Sequence, residues 1–144
     1  MVKTTEIVVI DLMKPAKTVM KDMDIHKALH MMRTENIDLL SVVDDKHTLI
    51  GAVSEANMLK LVKQDPPSLG DPVWYDSLEH DAGNKPIETI MTRGITTIGT
   101  NDTAATALKV MSATGYKLLH VVGPAGRLLG IIRMKDIIDK LLGA

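Results

Sequence analysis

Residues 28–62 read ALHMMRTENIDLLSVVDDKHTLIGAVSEANMLKLV and residues 107–141 read ALKVMSATGYKLLHVVGPAGRLLGIIRMKDIIDKL; the two lie on one another without a gap at an offset of 79. Identical pairs are Ala28/Ala107, Leu29/Leu108, Met32/Met111, Leu39/Leu118, Leu40/Leu119, Val42/Val121, Val43/Val122, Leu49/Leu128 and Gly51/Gly130. All but the glycine are apolar, so what repeats is a pattern of burial, and a fixed offset of this kind marks a duplicated structural unit. Upstream, Asp11-Leu12-Met13 matches Thr89-Ile90-Met91 at an offset of 78. The second copy therefore has one extra residue ahead of its helix, a change that loops absorb. The first copy is expected over residues 1–64 and the second over 87–144, with residues 65–86 as a linker belonging to neither.

Inside each copy the periodicity changes in the same order. Ile25, Ala28, Leu29 and Met32, or Ala104, Ala107, Leu108 and Met111, recur at helical spacing, with Asp24 or Asp102 placed to cap the helix. Asn36 or Gly115 ends it, both being residues that tolerate left-handed backbone. Leu39–Val43 and Leu118–Val122 are β-rich, and a turn at 44–47 or 123–126 leads into second strands at Leu49–Val53 and Leu128–Ile132. A closing helix follows, with Met58, Leu59 and Val62, or Met134, Ile137, Ile138 and Leu141, on its apolar face. Adding a short strand near Thr18 or Thr97 gives a βαββα unit in an α/β fold. One such unit is too small to bury both helices and a sheet, so the two copies are expected to pack face to face about a pseudo-twofold axis, with clefts at the junction.

Composition narrows the function. With 144 residues, 45% of them apolar, the chain can bury about 70% of its unfolded surface and needs no staple. The formal charge of −1, with Lys and Arg scattered, lacks the basic stripe of a nucleic-acid binder. No cysteine is present, which removes disulfides, thiolate metal sites and a Cys nucleophile, and favours a cytoplasmic setting. No apolar stretch approaches the roughly 18 residues of a membrane span, and Ile7–Ile10 is too short for a signal peptide.

The second copy carries Ile90-Met91, Ala107-Leu108, Met111, Gly115, Leu119-His120-Val121-Val122, Leu128-Leu129-Gly130 and Arg133-Met134-Lys135-Asp136; the first repeats the scheme and ends in Ser54-Glu55-Ala56-Asn57. This pattern resembles that of tandem cystathionine-β-synthase (CBS) domains, and the resemblance covers most of the chain outside the linker. It implies a non-enzymatic Bateman module that requires no cofactor, forms a homodimer, binds an adenosyl ligand (AMP, ADP, ATP or S-adenosylmethionine) and signals to an unknown regulated protein, with neither nucleic acid nor membrane as partner. The alternative is a protein-interaction and dimerisation scaffold with vestigial clefts.

By the same resemblance, the acidic residue of the last motif accepts hydrogen bonds from both ribose hydroxyls, and the hydroxyl residue three before it lies toward the phosphates. Asp136 retains the carboxylate, which accepts and never donates, while Arg133 replaces the hydroxyl residue; copy one has Ser54 but Asn57 in place of the acid. The second-repeat site then comprises Thr92, Ile95, Thr96 and Thr97 with Tyr116 around adenine, Lys117, His120 and Arg133 toward phosphate, and Asp136 on ribose. A weaker first-repeat site comprises Lys14, Lys17, Thr18, Ile37, Asp38, Ser54 and Asn57, where Asp38 opposes an anion.

Simpler readings stand beside these. Asp136 and Ser54 also suit helix caps, and Lys117 and Arg133 suit solvated surface. His26 and His30 have the i, i+4 spacing of paired metal ligands, but Lys27 stands where a metalloprotease has Glu, and an exposed helix face explains them. Gly123, Gly126 and Gly130 fall in a strand–turn–strand context, which is wrong for a phosphate loop. In the linker, Val73-Trp74-Tyr75 suits a short helix covering a core edge, or a partner-docking patch.

Overall fold

The computed structural model describes residues 3–61 and 82–143. Val62 and the linker through residue 81, including Trp74 and Tyr75, lie outside the described residues. In chain order the elements are α1 (Val9–Leu12), β1 (Thr18–Met20), α2 (Ile25–Thr34), β2 (Leu39–Val43), β3 (Leu49–Ser54), β4 (Thr97–Gly99), α3 (Ala104–Thr114), β5 (Leu118–Val122), β6 (Leu128–Arg133) and α4 (Met134–Leu141), with short 3-10 helices at Thr4–Glu6, Glu55–Leu61, Ala82–Asn84, Ile87–Thr89 and Pro124–Gly126. Among the described residues no helix is long and apolar enough to cross a membrane.

Each repeat contributes one three-stranded sheet, ordered β1-β2-β3 and β4-β5-β6. The short first strand runs parallel to the second, with Thr18 beside Ser41 and Thr97 beside His120. β5 and β6 are antiparallel, Leu118 facing Arg133 and His120 facing Ile131, with a bulge at Val121/Val122. This is the α/β, twice-repeated βαββα order expected from the periodicity.

The chain divides into two compact units that do not coincide with the repeats. One holds residues 17–45, 50–61 and 82–94; the other holds residues 3–16, 46–49 and 95–143. Each repeat's leading segment thus packs with the other repeat's helix and sheet. In the first unit Ile87, Ile90 and Met91 join Ile25, Ala28, Met32, Leu40, Val42 and Val53 in the core. In the second, Ile7 and Val9 join Ile98, Ala107, Met111, Leu119, Val121, Ile132 and Ile137. Burying side chains of this size is worth about 1.5–3 kcal/mol each, so the exchanged segments are core rather than trim.

The exchange accounts for the glycine that both copies share. Lys14 and Ile131 trade both backbone hydrogen bonds at 2.8 Å, and a Cβ on Gly130 would sit 2.6 Å from the Lys14 carbonyl oxygen. Thr92 and Ala52 trade the corresponding bonds at 2.8 and 3.0 Å, and a Cβ on Gly51 would sit 2.6 Å from Met91 Sδ and 2.9 Å from the Thr92 carbonyl oxygen.

The caps differ from expectation. Thr103, not Asp102, caps α3, its hydroxyl accepting from the Thr106 N–H at 3.3 Å. Asp102 Oδ2 instead accepts from the Gly99 N–H at 2.7 Å, closing the turn before the helix. Asp24 holds the N-cap position of α2 without a side-chain bond. There the free donors of the first turn are met in part by the other segment, the Ile25 N–H reaching the Lys85 carbonyl at 3.0 Å. The closing helices also differ. In α4 Ile137 is buried and Met134 and Leu141 pack on the core, whereas Ile138 turns outward. Its first-repeat counterpart is the 3-10 helix Glu55–Leu61, in which Asn57 and Leu61 are buried and Leu59 is 74% exposed.

Candidate functional site

The β4-β5-β6 unit gathers most of the second-repeat residues at one end. Thr97 opens β4 beside His120, with Ile95 and Thr96 half-buried just before it. Gly115 ends α3 in the left-handed region at φ 80°, a conformation that suits glycine. Tyr116 then emerges 54% exposed, and its N–H donates to Thr114 Oγ1 at 3.3 Å. Lys117 is exposed, and its carbonyl accepts from the Met134 N–H at 2.9 Å. That bond ties the start of α4 to the start of β5. It brings half-buried Arg133, at the end of β6, and Asp136, in the first turn of α4, to the same edge as Tyr116, Lys117 and Thr97.

Asp136 is the anomaly in this group. Its Oδ2 is buried with no hydrogen-bond partner among the described residues. A buried acceptor left unpaired costs about 1–3 kcal/mol, so the fold carries an unused, desolvated lone-pair site at this edge. His120 is 3% exposed, and burial lowers its pKa from the ordinary 6.5, favouring the neutral imidazole.

The first-repeat residues are arranged differently. Thr18 opens β1 beside Ser41, Ile37 packs against the core, and Asp38 is exposed. Lys17 Nζ lies 2.8 Å from Glu35 Oε1, with the two side chains 41% and 45% exposed. Asn57 is 7% exposed and fully engaged. Its Oδ1 accepts from the Ser54 N–H at 2.8 Å and the Ser54 hydroxyl at 3.0 Å; its Nδ2 donates to the Ile90 carbonyl at 2.6 Å and to Thr92 Oγ1 at 3.0 Å. Two acceptor and two donor positions are the whole capacity of an amide. At the homologous position, then, one repeat has a saturated amide and the other an oxygen without a partner among the described residues.

The CBS domain family profile matches residues 8–64 and 87–143. The chain belongs to the CBS-domain family. It carries two CBS repeats, and solved CBS pairs share its fold. It aligns with CBSX2 in complex with AMP at a TM-score of 0.75 and 23% identity, covering 95% of this chain and 97% of that one. With the CBS domain pair of protein MJ0100 in complex with 5-methylthioadenosine and S-adenosyl-L-methionine, the TM-score is 0.69 and the identity 25%, over 94% and 96% of the two chains. A curated relative, an uncharacterized 17.7 kDa protein in the bps2 3′ region of Acidianus ambivalens, is 26% identical over 119 residues, 82% of this chain. The chain spans 62% of that relative's length.

Two residues of this CBS pair stand apart from their expected groups. Thr92, expected at the second-repeat site, lies in the first repeat's unit with its hydroxyl on Asn57. Lys14, expected at the first-repeat site, lies in the second repeat's unit, bridged to Ile131. Each is the residue that follows the apolar-Met pair of its leading segment, and both moved because those segments are exchanged. The shared glycines at 51 and 130 were the available signal, since a glycine repeated within a strand marks a close approach of backbone.

Proposed function

We propose that this CBS pair is a non-catalytic, cytoplasmic regulatory module that binds an adenosine-containing ligand, of the AMP, ADP, ATP or S-adenosylmethionine type, at the second repeat's group of residues. Occupancy is transmitted to a regulated protein partner by a homodimer of the chain. One observation carries the reading: the buried Oδ2 of Asp136, which has no hydrogen-bond partner among the described residues. A carboxylate is suited to the two vicinal hydroxyls of a ribose because it accepts from both and donates to neither. The adenosyl compounds held by the MJ0100 CBS pair support the ligand class. The saturated amide of Asn57 favours the second repeat over the first, and it is also what a scaffold with a vestigial first cleft would have.

Calorimetry and thermal melting with adenosine, AMP, ADP, ATP and S-adenosylmethionine separate these readings. A ligand at 100 times its Kd should stabilise the protein by about 2.7 kcal/mol. Asp136→Ala should weaken binding about 10- to 150-fold, from the 1.5–3 kcal/mol of hydrogen bonds to a charged group. Because the substitution also removes an unpartnered oxygen, the melting temperature without ligand should hold or rise. Failure of every adenosyl compound to bind at millimolar concentration, or wild-type affinity in Asp136→Ala, would overturn the proposal and leave the scaffold reading.

A further inference from the structure

The two leading segments are held by matching backbone bonds but by different side chains. Thr92 trades two hydrogen bonds with Ala52, and Lys14 trades two with Ile131. In the repeat register Leu12 corresponds to Ile90, Lys14 to Thr92 and Asp136 to Asn57. In the first unit the Asn57 amide clasps the segment, its Nδ2 donating to the Ile90 carbonyl at 2.6 Å and to Thr92 Oγ1 at 3.0 Å. A carboxylate has no N–H to donate, so the homologous Asp136 cannot make that clasp. Among the described residues no hydrogen bond or ion pair joins Asp136 to Leu12 or Lys14.

The rest of the anchorage differs in the same direction. Residues 85–92 add bonds from the Ile87 N–H to the Met23 carbonyl at 2.7 Å and from the Glu88 N–H to the Lys21 carbonyl at 3.1 Å, and they bury Ile87, Ile90 and Met91. Residues 3–16 are held beyond the Ile131 bridge by two bonds. The Ala104 N–H reaches the Ile7 carbonyl at 2.7 Å, and the Val9 N–H reaches the Asp102 carbonyl at 2.9 Å. Ile7 and Val9 are buried, Leu12 and Met13 only partly, and Ile10 is 47% exposed.

We propose that residues 3–16 are a releasable strap on the second unit, closed over Asp136 when a ligand donates to that carboxylate and lifted from β6 when none does. Leu12 and Met13 pack on the same core as Met134, which opens the helix that carries Asp136. With the strap closed and no donor present, Oδ2 stays buried and unsatisfied; lifting the strap lets water supply the bond. A bound hydroxyl supplies it with the strap in place. The ligand thus interacts differently with the two states, as a ligand-driven switch requires. The proposal rests on the adenosyl-ligand reading above and names the element that carries occupancy away from the site. The clasped segment of the first unit has no such freedom.

Hydrogen exchange on the full chain, read by mass spectrometry, tests the strap. Without ligand, peptides covering residues 3–16 should exchange faster than those covering 85–94 or β5. Asp136→Asn restores the amide found at Asn57 and should slow exchange over 3–16 about 10-fold, with 85–94 unchanged. Adenosine, AMP, ATP and S-adenosylmethionine are then added separately at millimolar concentration to the wild-type protein. A compound that binds by calorimetry should likewise slow 3–16 about 10-fold and leave 85–94 unchanged. Exchange over 3–16 as slow as that of β5 in the ligand-free protein, or unaltered by Asp136→Asn, would overturn the strap. Calorimetric binding with no change over 3–16 would also overturn it, while leaving the adenosyl site in place. If none of the four compounds binds, the adenosyl reading falls and ligand control of the strap falls with it.

Discussion

Gly130→Ala puts the exchanged segments to the test. The added Cβ would lie 2.6 Å from the Lys14 carbonyl oxygen, 3.3 Å from Met13 Sδ and 3.5 Å from the Lys14 carbonyl carbon. The nearest obstacle is backbone, and that backbone is held by two 2.8 Å hydrogen bonds to Ile131. Relief requires the segment to lift off β6. Losing both bonds costs about 1–3 kcal/mol, and crowding a packed core adds about 1–3 kcal/mol. A net loss of about 2–6 kcal/mol corresponds to a fall of roughly 6–20 °C in Tm for a chain of this length. Gly51→Ala is the internal comparison. Its nearest obstacles are Met91 Sδ and Cγ at 2.6 and 2.9 Å, in a flexible side chain, with the Thr92 carbonyl oxygen at 2.9 Å. It should therefore cost less than Gly130→Ala. Thermal unfolding followed by circular dichroism measures both. A Gly130→Ala protein melting within 1–2 °C of wild type, or one melting above Gly51→Ala, would refute the steric account.

Asn57→Ala removes an amide with four hydrogen bonds and strands the Ile90 carbonyl, so chemical denaturation should show a loss of about 2–4 kcal/mol, against about 1 kcal/mol for Ser54→Ala, which deletes a single hydroxyl bond. His120 gives a pH signature. Its native pKa lies below the ordinary 6.5 because burial disfavours the cation, so the unfolded chain takes up the proton first. Stability should fall as pH drops below about 6.5 and go on falling until the native imidazole is itself protonated. A His120→Gln protein should lose less stability over that interval; equal slopes for the two proteins would remove His120 as the source.

Much of this architecture is legible in the sequence because apolar periodicity reports local geometry. The runs Leu39–Val43 and Leu118–Val122, and the helical spacing of Ile25, Ala28 and Met32, become strands and a helix at those positions. What periodicity does not report is the partner of each apolar face. Ile7, Val9, Ile87 and Met91 announce burial, yet nothing in their spacing says in which core. Leu59 is expected inside from its neighbours in a helical pattern, but the Glu55–Leu61 segment winds as a 3-10 helix that turns Asn57 and Leu61 inward and leaves Leu59 in solvent. Asp136 was identifiable from its motif. That one of its oxygens would be buried and unpaired depends on how α4 is tied to Lys117, a contact only the fold defines.

The exchanged segments also change what counts as a building block. Cut at the linker, the second half of the chain would keep β4 to α4 but lose Ile7 and Val9, and the Lys14 backbone that completes its sheet edge. The first half would likewise be left without Ile87, Ile90 and Met91. Neither half is a self-sufficient folding unit, so each would expose an apolar groove shaped for a segment on the other polypeptide. Two such fragments mixed together should recover structure by complementation. A truncation intended to isolate one repeat would instead have to carry its neighbour's leading segment on a new tether.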